Sequence, residues 1–117
     1  MKIALDAMGG DKGLETNVKG AGIALETLPC IKQLYLVGDK ENIEQALNEL
    51  SINSDRIEIV HASEIVEMHE SPAKAIRRKK DSSISVATDL VKNGTCEAVV
   101  SAGNTGAAVT AATLKLR

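Results

Sequence analysis

Residues 2–11, KIALDAMGGD, contain the pattern that decides the fold. The apolar run from Lys2 to Ala7 predicts a buried strand, and the glycines that follow it predict a tight turn. After this turn, apolar residues recur at spacings of three and four, which is typical of one face of a helix that Pro29 ends. A strand, a turn and an amphipathic helix in this order indicate an α/β protein. The apolar face of the helix contains Leu14, Val18, Ala21, Leu25 and Leu28.

The rest of the chain continues this alternation. Asp39 and the pair Ser71-Pro72 are helix-start signals, and Asn93-Gly94 is a helix-stop signal. Residues 62–70 are polar and show no assignable pattern. The order β-α-β-α-β-α-α-β-α predicts a layered α/β/α domain with a mainly parallel sheet. The further predicted strands are residues 33–37, 56–60 and 96–101, and the further helices begin at residues 39, 71, 82 and 105.

Length and composition bound the class of protein. The 117 residues suit one domain, which we expect to be the N-terminal α/β domain of a longer protein, because no stop signal follows Leu116-Arg117. Tyr35 is the single aromatic residue and the net charge is −2, which argues against a nucleic-acid partner. Cys30 and Cys96 match no metal or redox spacing, so we expect apolar packing and a reducing cytoplasm.

Two glycine-containing loops follow predicted strands and precede predicted helices. The first loop is residues 6–11, DAMGGD, and the second loop is residues 101–106, SAGNTG. Ligands of open α/β sheets bind beyond the carboxyl ends of the strands, where glycines allow close backbone approach and helix N-termini offer N–H groups to anions. The loops therefore predict a phosphate site, with tight capped turns as the alternative. The predicted phosphate-binding residues of the loops are Gly9, Gly10, Asp11, Ser101, Gly103, Thr105 and Gly106.

Asp6 and Asn104 are the candidate catalytic residues of these loops. A carboxylate at the end of a strand can bind a cation, orient a donor or act as a base, and Asn104 adds a side-chain amide. A purely structural role, in which Asp6 caps a turn, is the equal alternative for the carboxylate.

A basic segment follows the Ser71-Pro72 helix start. Lys74, Arg77 and Arg78 share a helix face by their spacing, and Lys79 and Lys80 extend the charge. Three interpretations stay open for this segment: a solvated face, phosphate binding, or docking of an acidic partner. The hydroxyls that follow favour a phosphate contact, so the predicted phosphate-binding set also includes Arg78, Lys79, Ser82 and Ser83.

Three stretches of the chain resemble signatures of one known family. Residues 3–11, residues 77–83 and residues 101–107 are similar, in this order, to signatures of the PlsX family of bacterial phosphate acyltransferases. The likeness covers essentially the whole chain. One difference is that the family usually has a proline shortly after the first loop, where this chain has residues 12–14, KGL. The difference concerns how the first helix begins.

This resemblance implies a fold and an activity. The fold would be the layered α/β fold of the isocitrate dehydrogenase and phosphotransacetylase type, with the second domain absent from this chain. The reaction would transfer a fatty acyl group from acyl carrier protein to inorganic phosphate, giving acyl phosphate for phospholipid synthesis, without a metal or organic cofactor. The family also implies a cytoplasmic homodimer that associates peripherally with the membrane. Because carrier protein is acidic, Lys74 and Arg77 are the predicted carrier-docking residues.

Two other classes of function stay open at this point. A nucleotide-dependent oxidoreductase on a Rossmann-like sheet needs G-x-G-x-x-G, but Met8 stands at the first glycine when the later ones fall on Gly10 and Gly13. A Gly-Lys-Ser/Thr phosphate loop is absent from the sequence. The third class is a non-catalytic module that binds anions or a carrier protein.

Overall fold

A computed structural model describes all 117 residues as four strands and five helices. The strands are β1 (Lys2–Asp6), β2 (Gln33–Gly38), β3 (Ile57–His61) and β4 (Ala98–Val100). The helices are α1 (Gly13–Thr27), α2 (Lys40–Glu49), α3 (Pro72–Arg78), α4 (Ser83–Lys92) and α5 (Thr105–Lys115). None of these helices is both long and apolar enough to cross a membrane.

All four strands are parallel and lie in the order β3-β2-β1-β4. Leu5 of β1 is aligned with Leu36 of β2 on one side and with Val100 of β4 on the other. The first and last strands in sequence are therefore neighbours, and the loops that follow them leave the sheet at the same edge.

Helices cover both faces of the sheet because successive side chains of each strand point to opposite faces. Leu36 packs with Ile43 of α2 and Leu25 of α1 on one face. Tyr35, the single aromatic residue, packs with Ala87 of α4 on the other face. A third apolar cluster joins α3, α4 and α5 on this second face; it contains Val66, Ala75, Ile76, Ile84, Ala107 and Ala111. The predicted layered α/β/α fold with a parallel sheet is confirmed.

Local signals placed most element boundaries correctly. Asp39 caps α2 by accepting a hydrogen bond from the Asn42 N–H at 3.1 Å, and Gly94 takes φ +84° after the end of α4. Pro72 begins α3 as predicted, but the Ser71 side chain makes no capping bond. The last strand is shorter than the predicted residues 96–101 because the Cys96 N–H donates to the Leu90 carbonyl and so closes the turn after α4.

Residues 62–70, here called the strap, are the polar segment whose structure had no prediction. The strap is mostly irregular and contacts the beginning of α4 through a single parallel bridge between Glu64 and Ser82. Asp81 holds its first residues by accepting hydrogen bonds from both the N–H and the hydroxyl of Ser63. These bonds lower the pKa of the Asp81 carboxyl, the hydroxyl of Ser63 being the larger cause.

Candidate functional site

The two glycine loops touch at the carboxyl edge of β1 and β4. A Cβ atom on Gly9 would lie 2.9 Å from Cα of Gly103 and 2.8 Å from Oδ2 of Asp6. In the same way, a Cβ atom on Gly103 would lie 3.2 Å from Cα of Gly9. The backbone of Gly10 has φ +99°, which L side chains rarely adopt. The two loops therefore require glycine, because their main chains pass in contact with one another.

A partly buried hydrogen bond joins the loops beneath this contact. The Ser101 hydroxyl donates to Oδ2 of Asp6 at 2.8 Å and accepts from the Gly103 N–H at 3.1 Å. Oδ1 of Asp6 accepts from the Met8 N–H at 3.2 Å, and the residue is only 3% exposed. Both carboxylate oxygens of Asp6 are thus engaged: Oδ2 joins the two loops and Oδ1 bonds within the first loop. The roles predicted for Asp6 and Ser101 were catalysis and phosphate binding.

Asn17 supports the first loop and was not identified from the sequence. Its side-chain amide donates to the Ala7 carbonyl at 2.9 Å and to the Gly9 carbonyl at 2.7 Å, so both of its N–H bonds are used. The available signal was a polar residue in α1 directly before Val18, on the border of the apolar face. That signal is weak, because many helix borders carry asparagine without such a contact.

Asn104 begins α5 and ties it to the strap. Its side-chain oxygen accepts from the Ala107 N–H at 3.1 Å, which is a helix cap. Its side-chain nitrogen donates to the carbonyls of Glu67 at 3.1 Å, Glu70 at 3.1 Å and Met68 at 3.4 Å. The amide that was predicted to act in catalysis is therefore occupied at both ends by the protein itself.

Main-chain N–H groups of both loops are free donors at the site. The N–H groups of Thr105 and Gly106, in the first turn of α5, donate to no acceptor in the chain. The N–H of Gly10 in the first loop is likewise without an acceptor. Unpaired N–H groups at a helix beginning are attractive to an anion because of both the free donors and the helix dipole. Asp11 and Thr105 are exposed at the rim, and their side chains make no hydrogen bond.

Lys79, predicted to bind phosphate, is partly buried and bonds within the chain. Its ammonium group donates to the Ile65 carbonyl and to Oε2 of Glu70, each at 2.7 Å. The same Glu70 oxygen accepts from the Glu67 N–H at 2.7 Å. Lys79 and Asn104 thus both hold the end of the strap at Glu70, Lys79 through the carboxylate and Asn104 through the main-chain carbonyl.

The Lys79–Glu70 pair predicts a pH dependence of stability. The bond from Lys79, followed by that from the Glu67 N–H, lowers the pKa of Glu70. The contribution of this pair to stability is therefore complete above the pKa of Glu70 in the unfolded chain, about 4.3. It is lost as the pH falls through the lower pKa of the folded protein. Below this pH, we expect the free energy of unfolding to fall less steeply with decreasing pH in Glu70→Gln than in the wild type. Urea unfolding at a series of pH values measures it. Asp81 titrates in both proteins and cancels, so parallel curves would contradict this contribution.

Ser82 and Ser83 are buried in the fold. They are 0% and 1% exposed, and the Ser82 hydroxyl accepts from the Ser85 N–H at 3.3 Å as the cap of α4. The Ser83 N–H donates to the Glu64 carbonyl. The phosphate prediction required hydroxyls that face solvent beside the basic segment, and neither of these hydroxyls does so.

The exposed basic residues divide differently from the predicted groups. Lys74 and Arg78 line one cavity of about 290 Å³ beside Glu70 and Ser71 at the end of the strap. Arg77 lies around the helix from them and lines another cavity. The predicted carrier-docking residues Lys74 and Arg77 therefore line different cavities, and Lys74 shares its cavity with Arg78.

Comparison with known proteins identifies the family. A family model described as "Fatty acid synthesis protein" matches residues 1–117. The chain is 55% identical over 117 residues to a phosphate acyltransferase of Akkermansia muciniphila, covering 100% of the chain and 34% of that protein. It is 53% identical over 117 residues to the phosphate acyltransferase of Heliobacterium modesticaldum, covering 99% and 34%.

A third relative, the phosphate acyltransferase of Methylococcus capsulatus, is 50% identical over 116 residues, covering 98% of the chain and 34% of the relative. The chain thus spans about a third of the length of the curated relatives that it matches. The resemblance inferred from the three signatures is confirmed. The chain belongs to the fatty acid synthesis protein family.

Proposed function

We propose that the complete protein, of which this chain forms the N-terminal α/β domain, transfers a fatty acyl group from acyl carrier protein to inorganic phosphate. The observation that supports this proposal is the contact between the two glycine loops, with free N–H groups at the beginning of α5. The names of the relatives, phosphate acyltransferase, support the reaction class.

The chemistry needs a phosphate that is held and stripped of water. The N–H groups of Gly10, Thr105 and Gly106 bind phosphate oxygens and leave another oxygen free to attack the thioester carbonyl carbon. A carbon–oxygen bond forms, the carbon–sulfur bond breaks, and the carrier thiolate leaves with the bonding electron pair. The proton that the attacking hydrogen phosphate loses is taken up by the thiolate, so the products are acyl phosphate and the free carrier thiol.

Asp6 and Asn104 act in this proposal through position rather than by touching phosphate. Their polar atoms are engaged by Ser101, by the strap and by main-chain groups, as described above. A carboxylate that faced the phosphate would also repel it. Asp6 reduces this repulsion because it bonds to Ser101 and faces the interior of the loops. Both residues therefore hold the donors at fixed distances from one another.

Carrier docking is assigned in this proposal to Lys74 and Arg78. These exposed cations share one cavity at the end of the strap, close to the beginning of α5 that carries the phosphate donors. Exposed charges of this kind chiefly accelerate association with an acidic partner and are sensitive to salt. We further propose a cytoplasmic homodimer with peripheral membrane association; the family resemblance supports these points, and the unpaired Cys30 and Cys96 support a reducing compartment.

Thr105→Pro provides a sharp test of the phosphate donors. Thr105 is the first residue of α5, where proline is well tolerated, and Asn104 before it has the extended backbone, with ψ 111°, that proline requires. The change removes one N–H and leaves the helix in place. We expect the KM for phosphate to rise about tenfold or more, because a hydrogen bond to a charged group contributes about 1.5–3 kcal/mol.

The matched control is Thr105→Ala, which removes the hydroxyl but keeps the N–H and should change the KM for phosphate much less. The assay follows release of carrier thiol from long-chain acyl carrier protein, with and without phosphate, in the complete protein. Equal phosphate kinetics for Thr105→Pro and wild type would overturn the donor assignment. Nicotinamide binding without phosphate-dependent thiol release would instead favour the oxidoreductase alternative, and carrier binding without turnover would favour a binding module.

A further inference from the structure

A second polar cavity lies between α3, α4 and α5, on the outer side of the helix layer. Its volume is about 590 Å³. Its lining includes Arg77 of α3, Lys80 just after α3, Ser85 and Asp89 of α4, and Leu114 and Lys115 of α5. None of them belongs to either glycine loop. Leu114 is ten residues beyond Asn104, so at 1.5 Å per residue it lies about 15 Å from the beginning of α5.

The charge of this cavity is positive in balance. Asp89 is the one carboxylate in the wall, and Lys115 pairs with it at 2.7 Å. Arg77 donates only its Nε, to the Ala73 carbonyl, and so its terminal guanidinium nitrogens stay free. Lys80 makes no hydrogen bond or ion pair. Two cations therefore stand beside the cavity without a counter-ion.

Ser85 gives an independent indication of a ligand. Its hydroxyl is the single buried side-chain polar atom of the chain that has no hydrogen-bond partner, and the residue is 1% exposed. The other hydroxyl deeper in α4 behaves differently, because Thr88 donates back to the Ile84 carbonyl at 2.7 Å. An unpaired buried hydroxyl is unfavourable unless a partner arrives from outside the chain.

We propose that this cavity is a second anion site that binds a phosphate group, separate from the site at the glycine loops. Arg77 binds the phosphate through its two free guanidinium nitrogens, and Lys80 adds a point charge. The Ser85 hydroxyl is closed to solvent beneath them, and it donates the remaining bond once the side chains above it move aside. The cavity exceeds the volume of a bare phosphate, and Ile76 and Leu114 give it an apolar side. The bound group is therefore either free phosphate or the phosphate monoester of a lipid.

The test is a titration of the 15N-labelled complete protein, followed through its amide NMR signals. Inorganic phosphate forms one arm, and vesicles of phosphatidylcholine with or without phosphatidic acid form the other. We expect shifts of the Ser85 and Lys80 amides, which are distinct from any shifts of Thr105 and Gly106. The Kd read from the Ser85 signal should weaken at least about tenfold in the double variant Arg77→Gln/Lys80→Gln and about threefold in Ser85→Ala.

Lys92→Gln is the matched control, because Lys92 is an exposed cation of the same helix that lies outside the cavity. It should leave the Kd within about twofold of wild type, since its charge is screened by solvent. Perturbation by inorganic phosphate assigns the site to the free anion, and perturbation only by phosphatidic acid assigns it to the lipid. The proposal is overturned if neither probe moves the Ser85 signal, or if Lys92→Gln weakens binding as much as the double variant does. Because the loop amides are read separately, a failure here leaves the proposed acyl transfer untouched.

Discussion

Gly9→Ala is expected to reduce phosphate-dependent acyl transfer by at least about a hundredfold, because a displacement of about 1 Å in a catalytic site has an effect of this size. The added Cβ would stand 2.9 Å from the main chain of Gly103 and 2.8 Å from Asp6 Oδ2, so the two loops must separate. The free energy of unfolding should fall by about 1–3 kcal/mol, which is typical of overpacking. Steady-state kinetics and urea unfolding of the complete protein measure the two effects.

Gly20→Ala is the control for this change. Gly20 lies within α1, and an added Cβ would meet nothing within 4 Å. Alanine there should stabilise the protein by about 0.5–1 kcal/mol through helix propensity and leave activity unchanged. If Gly9→Ala retained nearly full activity while remaining folded, the close contact of the loops would have no functional importance.

The second large effect is expected for the partly buried bond between Asp6 and Ser101. Asp6→Ala leaves the Ser101 hydroxyl and the Met8 N–H without their acceptor, so it should lower the free energy of unfolding by about 3 kcal/mol. A double-mutant cycle with Ser101→Ala should show a coupling energy of about 1.5–3 kcal/mol, because the bond has a charged acceptor. Chemical unfolding of the wild type, the two single variants and the double variant gives this energy.

Kinetics of the same four proteins distinguish whether Asp6 links the two loops or acts as a general base. If Asp6 joins the loops, Ser101→Ala should lose turnover on the same scale as Asp6→Ala, and the losses in the double variant should be less than additive. If Asp6 abstracts a proton during the reaction, Ser101→Ala should keep most of its activity while Asp6→Ala loses nearly all of it. That second pattern, with a coupling energy near zero, would contradict the structural link.

The fold was predictable because its signals are local. Asp39 caps the helix that directly follows it, Gly94 ends the helix directly before it, and strand alternation depends on neighbouring residues. The place of the site was predictable for a related reason, since the carboxyl edge of a parallel sheet follows from the order of the elements. Only the strap, residues 62–70, lacked such a signal, because its structure depends on partners outside it.

The partners of the individual side chains were not predictable in the same way. Asn104 bonds to carbonyls 34 to 37 residues earlier in the chain, and Asp6 bonds to a hydroxyl 95 residues later. The sequence of a basic segment gives its charges but not which of them pairs with a carboxylate. Lys79 was therefore grouped with the phosphate ligands, although it forms an ion pair with Glu70. One sequence contains no pairing information at these distances.

The position of β1 between β2 and β4 has a consequence for synthesis on the ribosome. β1 is made before both of its neighbours, and the second of them, Ala98–Val100, emerges more than ninety residues later. At about 5–20 residues per second, one edge of β1 stays unpaired for roughly 5–20 seconds. An unpaired apolar strand edge is a template for aggregation. The nascent chain therefore passes through a vulnerable interval in which a chaperone that covers strand edges would increase the yield of native protein.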